Sequence, residues 1–236
     1  MSIQWTDVDI SVIRQRYNRL ARRYDLIDLV FFVRPDIRRR AVSRLALKPG
    51  DRVLEMGCGT GKNLALLREA VGPLGHVYGV DLSEGMLRVA DEVRSQNGWS
   101  NVTLARSDVS DYRVPEPVQG VLFSLSYNTM PNHQQVLRQA WDRLAPGGNL
   151  VVMDAKLPAG SFGGMIRPFI IWAMKASVLS NPFVRPWEEL GKLTDDLEME
   201  HHLFSYYICR GSKPPVAVGS LRPQAEPDDE RLVAAE

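Results

Sequence analysis

The stretch Val53-Leu54-Glu55-Met56-Gly57-Cys58-Gly59-Thr60-Gly61 joins an acid at the end of an apolar run to three alternating glycines. Glycine accepts positive φ and has no Cβ, so such a stretch lets a strand turn sharply into a helix with its backbone close beneath a ligand. Three nucleotide-type sites use glycine in this way, and spacing separates them. A P-loop, G-x-x-x-x-G-K-[ST], would need glycine where Met56 stands and a hydroxyl where Asn63 stands. A dinucleotide fingerprint, G-x-G-x-x-G, would need its third glycine at Lys62. E-x-G-x-G-x-G fits without repair. Further on, Asp81 closes the run Val77-Tyr78-Gly79-Val80, a strand-end position from which a carboxylate accepts hydrogen bonds from ribose hydroxyls, a charge-assisted contact contributing about 1.5–3 kcal/mol.

The elements that must hold these residues alternate. Apolar runs RVLEM, HVYGV, NVTLA, GVLFSL and NLVVMD are separated by helical stretches over 62–71, 84–96 and 134–144. Connections too long for hairpins imply parallel pairing and right-handed crossovers, and the continuous apolar runs imply strands covered on both faces. Ahead of them, Ile10, Ile13, Tyr17, Leu20, Ala21 and Tyr24 recur at threes and fours over 8–24, one face of a helix, and a second helix opens near Pro35 and runs to about Leu45. Behind them come a Gly/Pro-punctuated apolar segment over 157–190 and a strand, tight bend and strand over 198–210. The expected fold is α/β: a doubly wound, Rossmann-like seven-stranded sheet with its last strand pair antiparallel, an N-terminal helical cap and an apolar helical insert after strand five. One domain over 1–212 is expected, made of a cap over 1–49, a core over 50–156, an insert over 157–193 and a terminal hairpin over 194–212. The Pro-, Ala- and acid-rich 213–236 reads as a disordered tail.

With these motifs in register the chain resembles the class I S-adenosylmethionine (SAM) methyltransferases. After the glycine motif and Asp81 follow Ser83-Glu84-Gly85-Met86-Leu87, then Arg106-Ser107-Asp108-Val109 after the third strand, the fourth strand Val121 to Ser126, and Arg143-Leu144-Ala145-Pro146-Gly147-Gly148 before the fifth. The resemblance implies SAM as cofactor and S-adenosylhomocysteine as product, with no metal. It implies a cofactor-binding set of Tyr17, Tyr24, Glu55, Gly57, Cys58, Gly59, Thr60, Gly61, Asn63, Asp81, Leu82, Met86, Ser107, Asp108, Val109, Ser124 and Leu125. The cap sequence YNRLARRYDLID looks like that of ubiquinone/menaquinone C-methyltransferases and of bacterial phospholipid N-methyltransferases, where a helix closes over the cofactor.

The acceptor is less legible. Carbon or oxygen methylation of a phenol or quinone wants a general base, whereas an amine needs little beyond deprotonation. His76 opens the second strand and His133 opens a helix; His201 and His202 are neighbours on an expected strand and so face opposite sides. Tyr24, Tyr127, His201 and His202 are the catalytic candidates, and Tyr127, Trp172, Lys175, Arg185 and Tyr206 the substrate-binding ones. Lys175 or Arg185 would meet a head-group phosphate, and tyrosines would cage an ammonium. No N-P-P-[YF] loop follows the fourth strand, which argues against nucleic acid. The reading is a methyltransferase acting on a small or lipid-like acceptor, with a phosphatidylethanolamine-like amine head group slightly preferred over a quinone or phenol. A non-catalytic SAM-binding partner protein is the alternative of another class.

Charge divides along the chain. The whole carries +1, but residues 1–50 hold ten Arg, Lys48 and five Asp, or +6, which leaves −5 for the rest. A basic cap beside an apolar insert suits peripheral contact with an anionic membrane. Phe162 to Ser180 is interrupted by Arg167, Pro168 and Lys175 and is not expected to span. Two cysteines, Cys58 and Cys209, are too few for a disulfide scaffold, and the N-terminal residues lack the basic and apolar regions of a secretory signal. A cytoplasmic protein, peripheral at the inner membrane surface, is expected.

Overall fold

Five of the apolar runs become parallel neighbours because each has side chains for two cores. The computed structural model describes residues 9–24, 33–158, 160–202 and 205–215. The strands are β1 (Arg52–Met56), β2 (His76–Asp81), β3 (Val102–Arg106), β4 (Val118–Ser124), β5 (Leu144–Ala155), β6 (Leu197–His202) and β7 (Tyr206–Ser212), in the order β3-β2-β1-β4-β5-β7-β6. β1 to β5 pair in parallel, while β7 runs antiparallel to both β5 and β6. This is the expected doubly wound sheet with an antiparallel final pair. Alternate residues serve opposite faces: Leu54, Phe123, Val152 and Cys209 enter one apolar cluster, and Val53, Leu122, Val151 and Ile208 the other.

The helices are α1 (Ile10–Leu20), α2 (Pro35–Ser43), α3 (Leu64–Val71), α4 (Glu84–Gln96), α5 (His133–Asp142), α6 (Gly160–Ser177) and α7 (Pro186–Leu190). Their starts follow local chemistry. Asp9 caps α1 by accepting from Ser11 N, Ser83 caps α4 by accepting from Met86 N, and α2 and α7 open on proline. Leu64, Leu67 and Val71 of α3 bury one face against the same cluster as Val53 and Ala41 of α2. α5 places Val136, Leu137, Ala140 and Trp141 in the other cluster.

Two arginines at the end of α2, Arg40 in its last turn and Arg44 at its C-cap, are consumed by structure. Arg40 pairs with Glu200, and Arg44 with Glu198 and Glu200 on β6, tying the basic cap to the acidic edge strand. Such exposed pairs contribute at most about 1 kcal/mol each. Lys213 is also held, its Nζ donating to Trp141 O and Leu144 O. The remainder of the expected tail, the bend at 203–204 and the cap segments 1–8 and 25–32 lie outside the described residues. No helix among the described residues is long and apolar enough to cross a membrane.

Candidate cofactor and acceptor site

β1 to β4 all end on one edge of the sheet, and the strand order reverses between β1, which leads to β2, and its other neighbour β4. That switch point leaves a crevice beyond the strand ends. The glycine loop fills its floor. Gly57, Gly59 and Gly61 have φ of 76°, 54° and 80°, all in the left-handed region. A Cβ on Gly57 would lie 2.5 Å from the Ser126 Cβ and one on Gly61 2.7 Å from Leu64, but one on Gly59 would meet nothing within 4 Å. Two of the glycines therefore pack against protein, and the middle one faces open space.

That space is a cavity of about 420 Å³. Tyr17, Tyr24, Glu55, Gly57, Cys58, Gly59, Thr60, Asn63, Asp81, Leu82, Met86, Asp108, Val109, Ser124 and Leu125 from the sequence-derived cofactor set all line it. Gly61 and Ser107 do not: Gly61 packs beneath the loop, and the Ser107 hydroxyl donates to Asp108 O.

Polar atoms around the cavity are unevenly satisfied. Asp81 accepts from Gly59 N through Oδ2 and from Ser83 N through Oδ1, both at 2.8 Å. Its carboxyl is raised by burial, against which the N–H groups of Ser83, Gly59 and Leu82 act. Glu55 is 1% exposed and takes one hydrogen bond from Asn63 Nδ2 at Oε1. Burial pushes its carboxyl up to about 7, with the Asn63 amide and the Arg38 guanidinium opposing. Among the described residues Glu55 Oε2, Thr60 Oγ1 and Asn63 Oδ1 are buried without a hydrogen-bond partner. Orphans of this kind cost about 1–3 kcal/mol each unless a ligand meets them. A carboxylate oxygen suits the ammonium of an amino-acid tail, Asp81 retains lone pairs for a diol, and Leu82, Met86 and Val109 offer apolar surface to a base. The residues present fit SAM.

The cap closes the site through long-range contacts. Asn18 Oδ1 accepts from Ser83 Oγ at 2.7 Å and Gly85 N at 2.9 Å, which clips α1 to the start of α4. Tyr17 donates its hydroxyl to Val178 O at 2.8 Å, and Arg16 donates to Ala176 O, clipping α1 to the end of α6. Arg38 of α2 is buried, donates to Ser124 Oγ at 3.1 Å and lines the cavity. Asn18 lies inside the cap sequence without being singled out there, and Arg38 is marked by no motif. Asp154 near the end of β5 carries a signal legible in the sequence, an acid closing an apolar run, as Glu55 and Asp81 do.

The remaining candidates scatter. Tyr127 is fully buried behind the cavity, edge-on to Phe123 and His133. Burial raises the Cys58 thiol well above its ordinary value, so it packs as an apolar group. Trp172 is 64% exposed and lies against Phe169 on the outside of α6. Lys175 lines neither the large cavity nor the smaller one beside it, and Arg185 pairs with Glu188 at a separate groove. Tyr206 lines the smaller cavity together with Tyr17 and Tyr24. His201 and His202 lie on the edge strand β6, with His202 against Glu200, and line neither cavity. Among the described residues no cluster of three His, Cys, Asp or Glu is arranged to hold a metal.

Comparison with known proteins agrees with this geometry. The family model described as a methyltransferase domain matches residues 47–177. Demethylmenaquinone methyltransferase of Anoxybacillus flavithermus is 28% identical over 145 residues, covering 60% of this chain and 61% of that one. The enzyme of that name from Listeria monocytogenes is 27% identical over 156 residues, covering 65% and 66%. The chain thus spans less than two thirds of the length of these curated relatives. Among solved structures, a SAM-dependent O-methyltransferase from Thermotoga maritima superposes with a TM-score of 0.56 at 18% identity, covering 79% of this chain and 70% of that one. A phosphoethanolamine N-methyltransferase of Haemonchus contortus, solved with phosphomonomethylethanolamine and S-adenosylhomocysteine, superposes with a TM-score of 0.63 at 17% identity, covering 76% and 52%. At such identities the likeness concerns the fold.

Proposed function

The chain belongs to the family of methyltransferase domains, and on that premise we propose that it transfers a methyl group from SAM to a hydroxyl-bearing aromatic acceptor of the quinol kind. The observation that supports bound SAM is the buried, unpartnered Glu55 oxygen in the same cavity as a glycine that faces open space, and methyl transfer follows from the family. The acceptor class is supported by the curated relatives, which are demethylmenaquinone methyltransferases. When bound, SAM supplies a sulfonium methyl open to in-line displacement. Glu55 and Asn63 would hold its amino-acid end, Asp81 its ribose, and Leu82, Met86 and Val109 its base. α1, clipped through Arg16, Tyr17 and Asn18 both to α4 and to the end of α6, would exclude water and help hold donor and acceptor in line, which is most of what the protein contributes to such a reaction.

A second reading, methylation of an amine head group, is favoured by the tyrosines 17, 24 and 206 grouped with a carboxylate at the smaller cavity. A cation there would gain about 0.5–2 kcal/mol from the rings. Either acceptor is lipid-like, and an anionic membrane surface is its natural source. Support for that contact comes from Met165, Phe169 and Trp172 along one side of α6, at 71, 67 and 64% exposure, on a helix whose end is clipped to α1 with its three arginines.

One assay tests these readings together. Labelled SAM is offered with vesicles of anionic lipid and phosphatidylethanolamine that carry a demethylated naphthoquinol. Label in the quinol, with the protein pelleting on anionic but not neutral vesicles, is expected. Label in phosphatidylethanolamine alone would replace the first reading with the second. Calorimetric SAM binding without transfer to quinol, phenol or amine would indicate a non-catalytic SAM-binding protein.

A further inference from the structure

Neither the cofactor set nor the strand ladder accounts for the carboxylate on which β5 nears its end. Asp154 is 2% exposed and faces a second cavity of about 40 Å³, room for the polar tip of a ring and not for a whole acceptor. Tyr17, Tyr24, Leu125 and Thr129 line both this cavity and the large one, so the two are neighbours across these four side chains. Met174, Val178, Ser180 and Tyr206 help to complete the wall.

Asp154 accepts from Asn128 N at 3.0 Å through Oδ2 and from Ala155 N at 2.8 Å through Oδ1. An ionised carboxylate has about four acceptor positions, so these bonds orient it and leave capacity for another donor. Ser180 Oγ, in the same wall, is buried without a hydrogen-bond partner among the described residues. The titratable neighbours are tyrosines from every side: Tyr17 and Tyr24 from the cap, Tyr127 from the turn after β4, Tyr206 and Tyr207 from β7. No Lys, Arg or His is among the described residues that line the cavity. Burial pushes the Asp154 carboxyl up to about 7 against the pull of its backbone N–H donors, and burial also raises Tyr17, Tyr127 and Tyr207. Near neutral pH, Asp154 can thus take up and release a proton.

We propose that the small cavity is the subsite for the ionisable hydroxyl of the aromatic acceptor, and that Asp154 is the catalytic base that takes its proton. This rests on the quinol reading above. The hydroxyl O–H bond breaks, the proton goes to Asp154, and the electron pair passes from oxygen into the ring. The ring carbon–methyl bond forms as the sulfur–methyl bond breaks, with sulfur keeping the pair. The hydrogen on that carbon then leaves as a proton and the oxygen regains one, so a methyl replaces a hydrogen and one proton is released. Ser180 Oγ donates to the oxygen while it carries charge.

The test is kcat against pH for the wild type, Asp154→Asn and Asp154→Glu on the demethylated quinol, with SAM affinity and thermal unfolding measured alongside. The wild type is expected to lose rate as pH falls below about 7, following protonation of the base. Asp154→Asn is expected to lose about 10²–10⁴-fold in kcat, with the low-pH limb gone and SAM affinity unchanged. Asp154→Glu is expected to recover part of the rate together with that limb. An asparagine variant with wild-type kcat and pH profile would overturn the assignment, as would a kcat loss matched by equal loss of SAM affinity. If Asp154→Asn does not fold, Ser180→Ala decides: kcat reduced about tenfold at unchanged SAM affinity is expected, and unchanged kcat overturns the proposal. Absence of transfer by the wild type would remove the quinol reading and the base with it. Transfer by the wild type with an unaffected variant would remove the base alone.

Discussion

Replacing Asp81 by asparagine and by alanine separates the two things its carboxylate does. Within the chain it holds Gly59 N and Ser83 N at 2.8 Å each, one on either oxygen. Toward the proposed cofactor ribose it would present its remaining lone pairs. A hydrogen bond to a charged group contributes about 1.5–3 kcal/mol and a neutral one about 0.5–1.5 kcal/mol. Asparagine keeps the shape and one acceptor oxygen, so SAM affinity should fall by about 1–2 kcal/mol, roughly 5–30-fold. Alanine removes the contact altogether and should cost about 1.5–3 kcal/mol, roughly 10–150-fold. Alanine also leaves both N–H groups without their acceptor and should lower the unfolding temperature of the ligand-free protein more than asparagine does. Titration calorimetry with SAM and S-adenosylhomocysteine reads the first effect, and thermal unfolding without ligand the second. An alanine variant that binds SAM within twofold of the wild type, with an unchanged melting temperature, would refute the ribose assignment and the loop-holding argument together.

Two further outcomes follow from the loop and its acids. Gly57→Ala combines a left-handed φ, worth about 1–2 kcal/mol, with a 2.5 Å approach to Ser126, whereas Gly59→Ala carries the φ strain into open space. Gly57→Ala should therefore destabilise the ligand-free protein more, and Gly59→Ala should mainly weaken SAM; equal melting losses and equal affinities would contradict the geometry. For pH, Glu55 and Asp154 are both raised to about 7 in the folded chain, above the ordinary 4.5 and 3.8. The folded state then holds protons that the unfolded state releases, so their contribution is present below about pH 4 and is lost as pH rises through about 7. Denaturant unfolding of the ligand-free protein at pH 5 and pH 8 should show lower stability at pH 8, and Glu55→Gln should remove up to about 3 kcal/mol of that difference. A glutamine variant with the wild-type slope would show that Glu55 titrates normally.

Composition set neutral bounds on the chain, and position along it did more. The cap's +6 against −5 elsewhere resolves in part into the pairs of Arg40 and Arg44 with β6 acids, so some of that charge belongs to cohesion. The apolar insert illustrates the opposite limit. α6 is apolar nearly all round, and periodicity could not say which of its sides would be covered. The structure buries Met174 and leaves Met165, Phe169 and Trp172 outside, which takes Trp172 away from the cavity it was expected to line.

What could be read from the chain alone was whatever neighbours in sequence decide: strands from unbroken apolar runs, the loop from glycines forced to positive φ, opposite faces for His201 and His202, and strand-end acids at Glu55 and Asp81. These depend on backbone geometry over a few residues, and spacing encodes them directly. Tertiary structure alone decided that Asn18 clips the cap to Ser83 and Gly85, that Arg38 reaches Ser124, and that Ser180 and three tyrosines share a cavity with Asp154. Those groups come from separate elements, and their burial and partnering arise only when the sheet and its cap close together. The change in a carboxylate's proton affinity on leaving water is a property of that closure, which no local pattern of residues records.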